Sequence, residues 1–294
     1  MNLPNVDLTT RPQVTGFFDD QSNTITYVVK DPGSNACAVI DSVMEFDQAA
    51  GRLTYRGADA VIAFIRDNDL SLEWIIETHM HADHLSGAPY FQRELGGRIG
   101  IGEHIQTVQD TFGKLFNEGT EFQRDGSQFD ALLTDGDEYM VGGMRCFAIH
   151  TPGHTPACMV HVMGDAAFAG DTLFMPDGGS ARADFPGGDA GELYDSIQRV
   201  LSLPDNVRLF ICHDYGPNGR AISWETTIAE QKASNIHVGG GKSREEFIAF
   251  RTRRDAQLGM PQLIIPSLQV NMRAGEIPSD KDGNLMLKVP VNKL

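Results

Sequence analysis

Thr78-His79-Met80-His81-Ala82-Asp83-His84 gathers three of the chain's nine histidines and one aspartate within six positions. The stretch closes the apolar run LEWIIETH (72–79), which reads as a strand because it is rich in β-branched and aromatic residues. Imidazole nitrogen is a good ligand for zinc or iron, and on extended backbone alternate side chains point the same way. His79 and His81 can therefore address one metal position, and the turn that follows lets Asp83 and His84 address a neighbouring one. A solvated or capping turn would not need three imidazoles.

Working outward, three more residues each end a strand-like run. His154 lies in TPGHT (151–155) after RCFAIH, Asp171 in GDT (170–172) after DAAFAG, and His213 in CHDY (212–215) after VRLFI. Ligands carried on different loops at strand ends are how α/β scaffolds assemble a site. Between them the chain alternates. NTITYVVK (23–30) and ACAVIDSV (36–43) read as strands, ADAVIAFIRDN (58–68) as a helix, APYFQREL (88–95) as a helix, RIGIG (98–102) as a strand and HIQTVQDTFGKLF (104–116) as a helix. From Asp135 a meander of short strands cut by Gly, Pro and Asp takes over. Helix ELYDSIQRVLSL, strand VRLFICHD and helices around TTIAEQKASN and REEFIAFRTRRDAQL follow. We expect a single α/β domain over 1–294, with a core of about 20–238 and a short C-terminal extension of about 239–294.

The net charge of −16 opposes binding to nucleic acid or to an anionic membrane surface. No run of about 18 apolar residues suggests a membrane span, and the N-terminus lacks a secretory signal pattern. Cys37, Cys146, Cys158 and Cys212 form no CxxC pair, which suggests reduced core thiols in a cytoplasmic protein. Cys212 abuts His213, but its apolar surroundings favour packing. His104, His150, His161 and His237 match no motif and are assigned to packing or surface roles; Met260 and Met272 read as core filler. The oligomeric state is left open, a homo-oligomer included.

H-x-H-x-D-H, a His in a PGHT turn, a GD step and a late His together resemble the metallo-β-lactamase superfamily over roughly residues 20–215. The resemblance implies an αββα sandwich with the metal site at one edge, between two sheets. In dinuclear members the matching positions would be His79, His81, His154 and a shared Asp171 for one metal, and Asp83, His84, Asp171 and His213 for the other.

Finer wording resembles the persulfide (sulfur) dioxygenases: TPGHTPACMVHV, ARADF (181–185), HDY (213–215) and NMRAG (271–275). ARADF departs from the GRTDF form expected of mitochondrial-type members, which suggests a divergent bacterial-type branch. That likeness implies one iron(II) per chain held by His79, His154 and Asp171, a two-His, one-carboxylate set that leaves coordination positions open. His81, Asp83, His84 and His213 would then orient ligands and order water. The implied partners are glutathione persulfide and O2. Arg182, Tyr215 and Thr155, which adjoin the metal motifs, and Arg273 are candidates to bind the glutathione portion. The alternative is a thioester or lactone hydrolase of the glyoxalase II type with two zinc ions, since all seven dinuclear ligand types are present.

Overall fold

Side-chain alternation along the strands divides the molecule into layers. In the computed structural model, which describes residues 3–293, the chain runs through β1 (Gln13–Asp19), β2 (Thr24–Lys30), β3 (Ala36–Ile40), β4 (Val43–Asp47) and β5 (Arg52–Thr54). Then come α1 (Arg56–Asp67), β6 (Ser71–Ile76), β7 (Leu85–Ser86), α2 (Ala88–Leu95), β8 (Arg98–Gly102), α3 (Ile105–Leu115) and β9 (Ala131–Leu133). The second half comprises β10 (Glu138–Val141), β11 (Met144–His150), β12 (Met159–Met163), β13 (Ala166–Phe168), α4 (Ala190–Leu201), β14 (Arg208–Phe210) and β15 (Glu225–Thr227). It ends with α5 (Ile228–Ser234), α6 (Arg244–Asp255) and α7 (Ile264–Asn271).

One sheet has the order β1-β2-β3-β6-β8-β9 and a second the order β10-β11-β12-β13-β14-β15. The pairs β3/β6, β6/β8 and β8/β9 are parallel, with α1, α2 and α3 lying between or after these strands along the chain. Tyr27, Val29, Ala38, Ile40, Trp74 and Ile76 face the second sheet, meeting Tyr139, Cys146, Ala148, Met163, Phe168 and Phe210. Their neighbours Val28, Val39 and Ile75 point the other way, onto Val61, Ile65, Phe91 and Phe112 of the first helical layer. On the second sheet Phe147, Ile149 and Val162 turn outward onto Leu193, Ile197, Val200 and Phe247. Strands sandwiched on both faces need apolar residues at odd and even positions alike, and these have them. The result is the expected αββα sandwich.

Beyond residue 239, α6 joins the outer layer of the second sheet through Phe247. In contrast, α7 and the turn after it join the first helical layer through Ile264, Leu268, Met272 and Ala274. All four cysteines are free and buried, as read from the sequence. Met272 is a core residue, but Met260 is not: it is 55% exposed. The expected strand 36–43 breaks at Asp41, whose φ of +51° turns the chain out of β3 and into a small third sheet, β5-β4-β7.

Two glycines let the site loops close. Gly170 has φ +51°, and a Cβ there would lie 2.6 Å from Thr78 Oγ1. Gly153 has φ +129°, and a Cβ there would lie 2.2 Å from the Leu193 nitrogen. Only glycine permits both the backbone conformation and the close approach.

Candidate metal centre

β6 ends at Ile76, and the next residues leave the sheet as a loop across its edge. Each histidine in the centre uses one ring nitrogen to anchor itself and leaves the other facing its neighbours. His154 Nδ1–H donates to the Arg182 carbonyl at 2.7 Å, and His79 Nδ1 lies 3.0 Å from Thr78 Oγ1. His84 Nδ1 and His213 Nδ1 both lie 3.3 Å from Thr24 Oγ1. His81 is anchored through Nε2, at 2.9 Å from Asp41 Oδ1 and 3.3 Å from Glu77 Oε2. Such anchoring fixes tautomer and ring orientation before any ion arrives.

The free atoms converge. Asp171 Oδ2 is 3.8 Å from His79 Nε2 and 3.5 Å from His154 Nε2. Asp171 Oδ1 is 3.4 Å from His213 Nε2, which is also 3.4 Å from Asp83 Oδ2. The ligand atoms of His79, His154 and Asp171 lie within 4.8 Å of one another, and so do those of His81, Asp83, His84 and His213. Ligands about 2.1 Å from one ion sit roughly 3–3.5 Å apart, so little contraction is needed.

The fit to a metal rests on what these atoms lack. His81 Nδ1, Asp83 Oδ2, His84 Nε2, Asp171 Oδ1 and His213 Nε2 are buried and without a hydrogen-bond partner. A buried unpartnered polar atom costs about 1–3 kcal/mol, so five in one place call for a cation. Electrostatics agree. Burial, then the surrounding imidazoles, push the His79 pKa well below its usual value, which favours the neutral ligand form. For Asp83, burial acts upward but is outweighed by His213 and His84, which keep it a carboxylate. His81 is the exception: burial is outweighed by Asp41 and Glu77, which favour its protonated form, so a metal at Nδ1 would have to displace a proton.

One side of the centre opens into a cavity of about 1510 Å³, with Asp83, His154, Asp171 and His213 on its floor. Phe174, Phe185, Ile236, Phe250 and Met260 supply apolar wall, and Arg52, Arg56, Arg182, Arg251 and Arg254 alternate there with Glu45, Asp47, Asp177 and Asp214.

The candidate substrate residues are distributed unevenly. Arg182 lines the cavity, but its guanidinium already forks Asp184 at 2.6 and 2.8 Å and donates to the Gly259 carbonyl at 2.7 Å. Its clearest tie to the centre is the backbone carbonyl that holds His154. Tyr215 stands at the mouth, 60% exposed, its ring nearly parallel to that of His213 with centroids 6.2 Å apart. Thr155 turns onto Cys158 Sγ at 3.1 Å and is not among the cavity residues. Arg273 is not brought to the cavity. It pairs with Glu118 at 2.9 Å, donates to the Gln269 carbonyl and lies over the Phe122 ring.

Sequence reasoning missed Asp41, Glu77, Thr24 and Asn271. Asp41 was visible as an acidic residue ending a strand, but its distance from the histidine cluster is set by β3/β6 pairing, which no spacing reveals. Of the histidines assigned to packing or surface roles, His161 is wholly buried, with Nδ1 2.9 Å from the Tyr139 hydroxyl, and His104 and His150 stack on each other. His237, in contrast, takes part in the cavity wall.

The family model for the metallo-beta-lactamase superfamily matches residues 19–213. A probable metallo-hydrolase of Burkholderia pseudomallei is 51% identical over 292 residues, covering 96% of this chain and 99% of the relative. A Dictyostelium discoideum protein named Glyoxylase B2 is 44% identical, covering 98% of this chain and 99% of that one. The mitochondrial persulfide dioxygenase ETHE1 of Bos taurus is 30% identical, covering 88% and 87%. Among solved structures, ETHE1 from Myxococcus xanthus superposes with a TM-score of 0.71 at 29% identity, covering 90% of this chain and all of the other. Taken with the sandwich and the His/Asp centre at its edge, these matches show that the chain belongs to the metallo-β-lactamase superfamily as a metal-binding enzyme.

Proposed function

We propose that the protein is an iron(II)-dependent persulfide dioxygenase that converts glutathione persulfide, O2 and water into glutathione, sulfite and two protons. The observation that carries this reading is the convergence of His79 Nε2, His154 Nε2 and Asp171 Oδ2. Two imidazoles and one carboxylate on one face are the donor set of non-haem iron oxygenases. Iron bound there would supply the redox chemistry that lets O2 react with the persulfide sulfur.

The chain's own residues do the rest. The Arg182 carbonyl holds His154 in the tautomer whose Nε2 faces the centre. Phe174 and Phe185 offer apolar wall beside the centre, where the persulfide sulfur would be shielded from water. His213 Nε2 and Asp83 Oδ2, 3.4 Å apart on the floor, are placed to hold a released proton. The carboxylates of a glutathione carrier have two exposed cavity arginines to meet, Arg52 and Arg254, neither engaged in an ion pair among the described residues.

A second reading, a dinuclear-zinc thioester or lactone hydrolase, is favoured by the second ligand group, whose His81 Nδ1, Asp83 Oδ2, His84 Nε2 and His213 Nε2 are buried and unpartnered. Asp171 aims one oxygen at each ligand group, the posture of a bridging carboxylate. It also has support from the relative named Glyoxylase B2. Metal analysis of protein produced with both iron and zinc supplied separates the two. One iron per chain supports the dioxygenase, whereas two zincs per chain at full occupancy would overturn it.

A further inference from the structure

The NMRAG segment has a purpose that Arg273 does not explain. Asn271, the last residue of α7, is 4% exposed, and its carboxamide is fully engaged with the metal loop. Its Nδ2 donates to the carbonyls of His81 and His84, each at 2.8 Å, and its Oδ1 accepts from the Ser86 amide at 2.8 Å. This one side chain therefore ties together the backbone of two histidines whose free ring atoms, His81 Nδ1 and His84 Nε2, face the centre.

The arm that carries Asn271 is itself fixed. Leu268 and Met272 are buried in the first helical layer, and Gln109 Nε2 donates to the Met272 carbonyl at 2.9 Å. Gly275, at φ +90°, lies so close that a Cβ would meet Pro89 at 2.5 Å and the Ser86 carbonyl at 2.8 Å. The carbonyls of His81 and His84 lie in the loop between β6 and β7, which has no helix or strand ladder to satisfy them, so they depend on side chains.

We infer that Asn271 is a positioning residue of the metal centre: from the C-terminal segment it clips the loop that carries His79, His81 and His84, together with Ser86 of β7, in its metal-binding arrangement. The inference rests on the centre alone and holds whichever metal occupies it. A structural role without this function would lower stability but leave the metal's surroundings unchanged, and Gln269 provides the matched control. It lies on the same helix, is fully buried, and its carboxamide also makes three hydrogen bonds, to the Ile265 carbonyl and to the carbonyl and amide of Lys288, away from the loop.

The test compares Asn271→Ala and Gln269→Ala in the full-length protein loaded with zinc and, separately, with cobalt(II). Readouts are metal release to a chelator, the cobalt absorption spectrum and the melting temperature. Asn271→Ala should release metal at least about tenfold faster and alter the cobalt spectrum, as losses behind metal ligands do. Gln269→Ala should lower the melting temperature comparably while leaving release and spectrum unchanged. Equal effects of the two substitutions on metal release, or an Asn271→Ala protein with wild-type release and spectrum, would overturn the assignment. If Asn271→Ala does not fold, hydrogen exchange on the wild-type protein decides: the Ser86 amide should be strongly protected, and exchange at the rate of an exposed loop would contradict the clip.

Discussion

The centre's histidines differ in what stands behind them, and that difference orders their expected sensitivities. His79 and His154 meet Asp171 through one carboxylate oxygen, so they define the position assigned to iron. His79→Ala should abolish iron binding. His84→Ala should leave iron bound and lower turnover about ten- to a hundredfold, the range for residues that orient ligands. Iron content by metal analysis alongside turnover checks this, and equal loss of iron in both variants would contradict the mononuclear assignment. On the substrate side, the structure moves attention from Arg182, saturated by Asp184, to Arg254. A charge-assisted hydrogen bond contributes about 1.5–3 kcal/mol, so Arg254→Ala should raise KM for glutathione persulfide roughly tenfold or more. A small alkyl persulfide without carboxylates should respond little, and an equal response would remove the proposed contact.

At the scale of elements, the site is made by strand ends that stop where a tight turn lets them. The GDT turn after β13 packs on Thr78 because Gly170 has no Cβ, which links the Asp171 loop to the His79 loop at one contact. Gly170→Ala forces both a left-handed alanine and an overlap with Thr78. It should destabilise the fold by about 1–3 kcal/mol or more and weaken metal retention with it. Thermal unfolding and metal content read both, and a variant of wild-type stability and metal content would show that the turn can relax. The apolar, β-branched run LEWIIETH and the period of ADAVIAFIRDN were legible because their burial follows local chain geometry: α1 lies where its pattern puts it, and β6 differs only in ending at Ile76, before the metal loop. α7 was not legible. Ile264 through Asn271 are buried on almost every side and interrupted by Pro266, so no helical stripe of apolar residues stands out. The Asp41 break was equally hidden, since ACAVIDSV continues as an apolar run while the backbone turns at φ +51° to deliver a carboxylate to Thr78 and His81.

For the molecule as a whole, the metal motifs were readable because ligand chemistry restricts residue type, whereas their supports were not, because any carbonyl or hydroxyl can anchor an imidazole. Arg182 illustrates the limit: its position in the sequence suggested a guanidinium for substrate, but folding uses its carbonyl for His154. Charge behaves in the same way. The cavity of a chain of net charge −16 carries five arginines beside Glu45, Asp47, Asp83, Asp171, Asp177 and Asp214, a mixture that no sequence total reveals. No helix among the described residues is long and apolar enough to cross a membrane.

Two buried histidines outside the centre set a pH response of the whole fold. Burial lowers the His161 pKa to about 4, and burial followed by Arg251, Lys242 and Arg254 lowers that of His237 to about 3. Both folded-state values lie below the unfolded value of about 6.5, so the unfolded chain binds more protons between these limits. Stability from these groups is therefore complete above about pH 6.5 and falls as pH drops towards 4 and then 3. His237→Gln should flatten the stability–pH slope in that window by up to one proton, about 1.4 kcal/mol per pH unit. Denaturant unfolding at several pH values checks it; an unchanged slope would mean that His237 is protonated in the folded protein.

Oxygen uptake is the most direct readout of the proposed persulfide oxidation. Protein purified anaerobically and loaded with one iron(II) per chain is mixed with glutathione persulfide in an oxygen electrode, and sulfite is measured in the same sample. A persulfide dioxygenase consumes O2 only with iron bound and forms one sulfite for each O2 consumed, and His154→Ala should lose both. Absence of iron-dependent O2 uptake, together with thioester or lactone hydrolysis by the two-zinc form, would contradict the proposed oxidation.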